Sequence, residues 1–308
     1  MPWPYSASPD RRRVKPRAYR PPGPLVYAWL DGTTKRSHIY VKAPDEPDAR
    51  LVYDQPGIVF EAKWSPDGEQ IALNDDGLLV MNADGSDVRR LTDAEFWAEP
   101  PFTWGPGDRE ITYYKPKAAS DGDLWVLDVA DPANPRRLTR EGGRFSFPSW
   151  SPDRSRIAYS WQVGVGGVQD VYVMDADGSI TQITQKAWAR EPSWSADGGR
   201  LVYVKSDGHD AGDLHIIDAR AGAAPRRITN APYNKATPVW LAYGRWIAYA
   251  TSGDIHVVSI DGRETHKLRV REGVPAVADF DWFNPFRAVS ASGRQPSPWG
   301  SRKAPATP

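Results

Sequence analysis

Cysteine is absent from the 308-residue chain, so the fold contains no disulfide bond and no thiolate-bound metal. The 39 basic residues are matched by 39 acidic ones, and this balance gives no indication of a nucleic acid or an acidic membrane as partner. No run of about 18 apolar residues occurs, which argues against a membrane-spanning helix. The chain is instead rich in proline (29), glycine (26) and tryptophan (14), a composition typical of tight turns between short strands.

The N-terminal stretch lacks the apolar region of a secretory signal peptide. Residues 1–24 are basic and rich in proline, and they predict a disordered arm because they offer little to bury. An electrostatic contact with an anionic partner is the functional alternative for this arm. A second loose tail is expected over residues 286–308.

Tryptophan recurs at a regular spacing through the rest of the chain. Six tryptophans are separated by 40, 46, 44, 46 and 42 residues: Trp64, Trp104, Trp150, Trp194, Trp240 and Trp282. A turn follows, in its best form Ser65-Pro66-Asp67-Gly68, where proline presets φ and glycine suits the last position of a type I turn. This repeat length is typical of four-stranded propeller blades. We therefore predict six blades, with the tryptophans packed between neighbouring blades.

Each repeat contains the same order of strand and turn signals. After the tryptophan turn comes an apolar strand such as Ile71-Ala72-Leu73, then a third strand such as Leu214-His215-Ile216-Ile217. An Asp-Gly pair, as in Asp177-Gly178, predicts the hairpin to a fourth strand. The fourth strand carries paired arginines, as in Arg136-Arg137-Leu138-Thr139, and charge there suits an outermost edge strand.

The two ends of the repeat array are incomplete. Three predicted strands, in second, third and fourth position, come first with no first strand before them: Leu25–Trp29, Ile39–Val41 and Arg50–Tyr53. Val277–Trp282 fits a first strand with no full blade after it. We expect the C-terminal strand to complete the N-terminal blade, which closes the ring and removes a sheet edge. The sequence thus predicts an all-β, six-bladed β-propeller of four-stranded antiparallel blades over residues 25–285.

The order of these elements resembles a known family. Trp-Ser-Pro-Asp-Gly, an Ile-Ala-Tyr strand, a Val-Met-Asp-Ala-Asp-Gly-Ser hairpin and an Arg-Arg-Leu-Thr strand are similar to the WD40-like repeats of TolB-type propellers. The resemblance covers about residues 25–285 and concerns the propeller part, without the N-terminal α/β domain of TolB. It implies a bacterial periplasmic protein that docks a protein or peptide on the face around its channel. The start of the chain does not indicate export, which fits either a cytoplasmic protein or a start that is not that of a normal precursor.

The loops on that face carry the candidate binding residues. In a four-stranded blade, the loop between the second and third strands and the loop to the next blade open on the same face. Aromatic residues with nearby arginines have the composition of a protein-binding patch, and four third strands begin with an acid there. The predicted partner-binding set is Trp97, Phe145, Trp161, Trp188, Tyr233, Arg144, Arg190, Asp123, Asp170, Asp213 and Asp254. The alternative is that the aromatics fold over their own loops.

Signals of catalysis or metal binding are weak. No Gly-x-Ser-x-Gly nucleophile turn occurs. His215 and His256 occupy equivalent third-strand positions, which favours an aromatic-sized filler over a metal pair, and His209 in a polar loop is the histidine to test for catalysis. We predict a monomeric, non-catalytic protein- or peptide-binding scaffold without metal or cofactor. One alternative is a propeller lyase or hydrolase with an acid/histidine site at the channel mouth, with or without a metal. Another is a fragment or diverged copy that retains no partner.

Overall fold

The computed structural model describes residues 23–31, 34, 36–44, 46–59, 61–92, 102–105, 109–118, 121–164, 167–206, 212–230, 235–241, 244–251, 254–268 and 277–282. These residues form 24 β-strands in six four-stranded antiparallel sheets, the six blades of a β-propeller. The predicted all-β fold and the number of blades are confirmed. Within these ranges, no helix is long and apolar enough to cross a membrane.

The strands follow one another blade by blade. Blade 1 contains β1 (Leu25–Asp31), β2 (Arg36–Lys42), β3 (Arg50–Pro56) and β24 (Val277–Trp282). Blade 2 contains β4 (Ala62–Trp64), β5 (Gln70–Asn74), β6 (Leu78–Asn82) and β7 (Arg89–Arg90). Blade 3 contains β8 (Phe102–Trp104), β9 (Glu110–Ala118), β10 (Asp121–Asp128) and β11 (Asp131–Arg137). Blade 4 contains β12 (Arg144–Trp150), β13 (Arg156–Gln162), β14 (Gln169–Asp175) and β15 (Ile180–Gln182). Blade 5 contains β16 (Ala189–Trp194), β17 (Arg200–Ser206), β18 (Gly212–Asp218) and β19 (Arg226–Arg227). Blade 6 contains β20 (Ala236–Trp240), β21 (Trp246–Ala250), β22 (Ile255–Ser259) and β23 (Thr265–Leu268).

Blade 1 joins strands from both ends of the array. Its order is β24-β1-β2-β3, and β24 pairs antiparallel with β1, with Tyr27 opposite Phe280. The C-terminal strand therefore takes the first, innermost position, as the strand count of the sequence predicts. Gly23 and Pro24, just before β1, are buried. The rest of the predicted arm and the predicted tail over residues 286–308 lie outside the described residues.

The antiparallel strand order gives the propeller two faces. The turns between first and second strands and the hairpins between third and fourth strands share one face, here named the turn face. The loops between second and third strands and the connections to the next blade share the other, the loop face. On the turn face, a serine hydroxyl donates to an aspartate two residues later at 2.5 Å in three blades: Ser65 to Asp67, Ser151 to Asp153 and Ser195 to Asp197.

The hydrophobic core lies between the blades. One cluster joins Val171 of blade 4 to Trp194 of blade 5. The Trp194 indole donates to the Ser149 carbonyl of blade 4 at 2.8 Å, and the Arg156 guanidinium of blade 4 lies 4.6 Å from the centre of the Trp194 ring. The predicted packing of Trp194 between blades is thus confirmed, and this packing holds the first strands around the propeller axis.

Candidate functional site

Nine of the eleven predicted binding residues lie within the described part of the chain; Trp97 and Tyr233 lie outside it. The three described aromatics of the set differ in exposure. Trp188 is 44 % exposed, Trp161 is partly buried and Phe145 is 1 % exposed. Trp188 is therefore the described aromatic that offers the loop face a large accessible ring.

The loop that carries Trp188 connects blade 4 to blade 5 and is fastened to the buried Asp170. The Asp170 Oδ1 accepts hydrogen bonds from the Thr184 hydroxyl (2.8 Å) and the Ala187 amide (3.0 Å), and Oδ2 accepts one from the Lys186 amide (2.8 Å). Lys186 and Trp188 have φ values of 49° and 46°. Non-glycine residues adopt this left-handed conformation where the surroundings impose it. One buried carboxylate thus sets the backbone that presents Trp188.

The acids at the start of the other third strands are engaged by side chains of their own blades, and Asp213 also by Lys235 from the connection to blade 6. Like Asp170, Asp123 and Asp213 accept a threonine hydroxyl from the end of the fourth strand, at 3.3 and 2.8 Å. They differ from Asp170 because, among the described residues, cations complete their contacts. The cation partners are Lys117 (2.5 Å) and Arg137 (2.7 Å) for Asp123, Lys235 (3.0 Å) and Arg227 for Asp213, and Lys267 (2.7 Å) for Asp254.

Phe145 and Trp161 form one aromatic stack in blade 4. Their ring centres are 5.5 Å apart and the rings are nearly parallel, at 6°. The Trp161 indole donates to the Gly142 carbonyl at 2.9 Å. Because β12 begins at Arg144, the alternation of the strand directs Phe145 inward and leaves Arg144 exposed. The buried Phe145 ring therefore packs against one face of the Trp161 ring, whereas Arg144 is accessible on the loop face.

The six first strands enclose a cavity of about 150 Å³ on the propeller axis. Described residues of all six blades line it, and it reaches the turn face at Pro66 and Pro152. The charged residues that line it are Glu61, Lys63, Arg154, Glu191 and Asp281. None of the nine described loop-face residues contributes to this lining. The cavity is thus a second candidate site, distinct from the loop face.

Backbone bulges direct three side chains of blades 4, 5 and 6 into this cavity. Phe147, Glu191 and Thr237 each lie three residues before the first-strand tryptophan and have positive φ values of 52°, 58° and 47°. The pairing with the second strand shifts register at the same point in all three blades. A proline follows each of these residues, and proline within a sheet is confined to edges and bulges because it has no N–H to donate.

Glu191 is the most deeply buried acid of the cavity, at 6 % exposure. Burial raises the pKa of Glu191 above its ordinary value, although the Arg190 guanidinium, 2.7 Å from Oε1, and the Thr237 amide, which donates to Oε2, act against the rise. The negative charge of Glu61 raises the Glu191 pKa further. The two glutamates therefore interact electrostatically within one cavity.

Sequence reasoning selected Arg190 and missed its partner Glu191. A usable signal was present, because an acid precedes the tryptophan by three residues in both blade 2 and blade 5, as Glu61 and Glu191. The proline of Glu191-Pro192-Ser193-Trp194 is a second signal, since it interrupts a strand that pairs on one side only.

The third-strand histidines pack against second-strand tyrosines. The His215 ring centre lies 5.7 Å from that of Tyr203, and the His256 ring stacks on Tyr249 at 5.5 Å. Burial lowers the pKa of both histidines, which favours neutral rings. The prediction of an aromatic-sized filler is confirmed for this position, while His209 lies outside the described residues. In the described ranges, no group of three or more His, Cys, Asp or Glu side chains is arranged to hold a metal ion.

One protein family matches most of the chain, and individual known proteins are similar to it over different lengths. The sequence model of the TolB beta propeller domain matches residues 77–278, more than half of the chain. The uncharacterized protein Atu1656 of Agrobacterium fabrum is 26 % identical over 229 residues, 72 % of this chain and 73 % of Atu1656. The uncharacterized peptidase YuxL of Bacillus subtilis is 30 % identical over 125 residues, and these are 38 % of this chain and 18 % of YuxL. TolB from Acinetobacter baumannii shares the fold, with a TM-score of 0.71 and 17 % identity over 85 % of this chain and 67 % of that chain.

Proposed function

The chain belongs to the TolB beta propeller domain family, and we propose on this basis that it is a non-catalytic scaffold that binds a protein or peptide on its loop face. The observation that carries the proposal is Trp188, a tryptophan that is 44 % exposed on a backbone fixed by Asp170. Tryptophan is enriched among the few residues that dominate binding energy at protein interfaces.

The backbone of the Trp188 loop is preorganised by hydrogen bonds within the protein. The Ser206 amide donates to the Trp188 carbonyl at 3.1 Å, so β17 of blade 5 holds the loop in addition to Asp170. A side chain on a fixed backbone loses less conformational entropy when it is buried by a partner, which leaves more of the contact energy for affinity. The loop therefore has the fixed backbone conformation expected of a residue that anchors a partner.

The neighbouring loop of blade 4 extends the apolar surface. Val163 is 60 % exposed at the end of the second strand, and the third strand begins again at Gln169 next to Asp170. Asp170 thus joins the bases of both loops. Arg144 is exposed on the same face, at the start of β12, and supplies a positive charge for selection of the partner. An apolar centre with polar charge at its margin is the usual anatomy of a protein interface.

The test is a capture experiment from the source cells with wild-type protein and the Trp188→Ala variant. We expect wild type to retain a partner that Trp188→Ala captures at least about tenfold less, the effect of losing one interface anchor. Val88→Ala is the matched control, because Val88 is 45 % exposed but lies in the hairpin between β6 and β7 on the turn face. Equal capture by wild type and Trp188→Ala, with all variants melting alike, would contradict binding through this loop.

A propeller enzyme, a lyase or hydrolase, is the second candidate function. Glu191 is the observation that favours it, since a buried carboxylate with a raised pKa inside a cavity is suited to proton transfer. The peptidase name of YuxL concerns a protein of which the matched segment is 18 %. Turnover of a lyase or ester substrate that Glu191→Gln abolishes, or a stoichiometric metal ion in the purified protein, would establish this alternative.

A further inference from the structure

The axial cavity has a composition that binding on the loop face does not use. Among its described lining residues, three acids, Glu61, Glu191 and Asp281, stand against two bases, Lys63 and Arg154. We infer that this cavity binds an alkylammonium group, with Glu191 and Glu61 as its ionic partners and the Ser193 hydroxyl as a further hydrogen-bond acceptor.

Glu191 is placed to supply the anchoring charge. Its Oε1 accepts a hydrogen bond from Arg190 at 2.7 Å, and its Oε2 accepts one from the Thr237 amide of the next blade. An ionised carboxylate offers about four acceptor positions, so Glu191 retains capacity for a further donor. An alkylammonium group carries three donors and no acceptor. A cavity with several carboxylates and hydroxyl oxygens matches that requirement.

Ser193 provides an independent indication of a polar occupant. It lies two residues after Glu191 on β16, is 7 % exposed and lines the cavity. Its hydroxyl forms no hydrogen bond with another described residue, and the buried Thr237 hydroxyl in the same lining likewise has no partner there. Because buried polar groups in folded proteins are hydrogen-bonded as a rule, the unpartnered Thr237 hydroxyl indicates a ligand with polar atoms, and the Ser193 hydroxyl is available to that ligand as an acceptor.

The electrostatics favour a cation over an anion. Burial raises the Glu191 pKa in spite of the nearby Arg190, so the ionised carboxylate is incompletely compensated and gains from a further positive charge. Lys63 is engaged with the Phe102 carbonyl at 2.9 Å and with Glu61 at 3.5 Å. An anion in this cavity would face three carboxylates as well as the bases Lys63 and Arg154.

The size and position of the cavity suit an extended alkyl chain with a charged end. A water molecule takes about 30 Å³ in the liquid, so about 150 Å³ admits a group of several heavy atoms. The cavity reaches the turn face, opposite to Trp188, and the inference therefore does not rest on the loop-face proposal. A free small amine and the lysine side chain of a peptide share this chemistry.

Isothermal titration of the full chain at neutral pH and low ionic strength tests the inference with three probes. The probes are 1,5-diaminopentane, Nα-acetyl-lysine amide and the uncharged 1,5-pentanediol. We expect saturable binding of at least one amine and none of the diol. Ser193→Ala and Glu191→Gln should each weaken the amine about tenfold, the loss of one hydrogen bond to a charged group. The control Glu264→Gln, at a side chain 63 % exposed on blade 6, should leave the affinity unchanged.

Each outcome of the titration either supports the amine site or overturns it. Binding of the diamine alone identifies a small free amine, and binding of the capped lysine alone identifies a peptide side chain; both support the site. Ser193→Ala keeps every hydrogen bond of Glu191 and is the decisive variant if Glu191→Gln fails to fold. Absence of saturable amine binding, equal binding of the diol, or an unchanged affinity in Ser193→Ala would overturn the inference.

Discussion

The two faces of the propeller differ in how similar their side-chain contacts are from blade to blade. On the turn face, three blades form the same serine–aspartate hydrogen bond at the same 2.5 Å distance. On the loop face, equivalent acids have different surroundings: Asp170 is buried against backbone amides, whereas Asp254 is 38 % exposed and pairs with Lys267. Contacts between residues close in sequence repeat from blade to blade, and contacts between distant segments become individual. The loop face is therefore the more individual of the two faces, which is one reason why we propose it as the binding face.

The largest effect is expected at a tryptophan between blades. Trp194→Ala removes a ring that is 2 % exposed, its hydrogen bond to Ser149 and its contact with Arg156, and should lower the free energy of unfolding by about 3–5 kcal/mol. Trp188→Ala, on the loop face, should change it by less than about 0.5 kcal/mol because surface substitutions contribute little. Urea denaturation of both variants checks the contrast, and similar losses would mean that Trp188 belongs to the core.

This contrast also marks how much the sequence can predict. The blades and the turns of Ser65 and Ser151 follow from local signals, and the structure confirms them. The depth of Phe145 does not, because it depends on β12 starting at Arg144. The preceding Gly142 and Gly143 indicate a turn, but they do not show at which residue the alternation of the strand begins. Glu191 reaches the cavity through a bulge. How deeply its carboxylate is buried there depends on how the neighbouring first strands pack around the axis, which local sequence signals do not specify.

The second prediction compares equivalent acids on the loop face. Asp170→Asn leaves one acceptor oxygen for the Thr184 hydroxyl and the amides of Lys186 and Ala187, and should cost about 2 kcal/mol because buried donors lose their partners. Amide hydrogen exchange at Ala187 should accelerate as the loop opens. Denaturation and exchange measurements on the variant test both effects.

Asp254→Asn is the matched control for Asp170→Asn. Asp254 occupies the position in blade 6 that Asp170 occupies in blade 4. It pairs with Lys267, whose side chain is 55 % exposed, and such surface ion pairs contribute about 0–1 kcal/mol to stability. We expect the control to unfold almost as wild type does. If both variants lose the same stability, Asp170 has no special part in holding the Trp188 loop.

A smaller loss of stability than in Trp194→Ala and Asp170→Asn is expected on the turn face, from Ser151→Ala. The Ser151 hydroxyl donates to Asp153 at 2.5 Å and accepts the Arg156 amide at 3.0 Å, so its loss should cost about 1 kcal/mol at neutral pH. This hydroxyl is also the main cause that lowers the pKa of Asp153. Denaturation midpoints at pH 7 and pH 3 measure both consequences.

The pH dependence has a definite sign. Because the Asp153 pKa is lowered by folding, the folded protein binds fewer protons than the unfolded chain just below the ordinary aspartate pKa of about 3.9. The stabilisation is present above that pH and is lost as the pH falls through the folded-state pKa. The difference between wild type and Ser151→Ala should therefore shrink towards pH 3, and a difference that stays constant would show that the hydroxyl acts through the Arg156 amide alone. In that case the regularity of the turn face would rest on the backbone contact, and the aspartate would be dispensable to it.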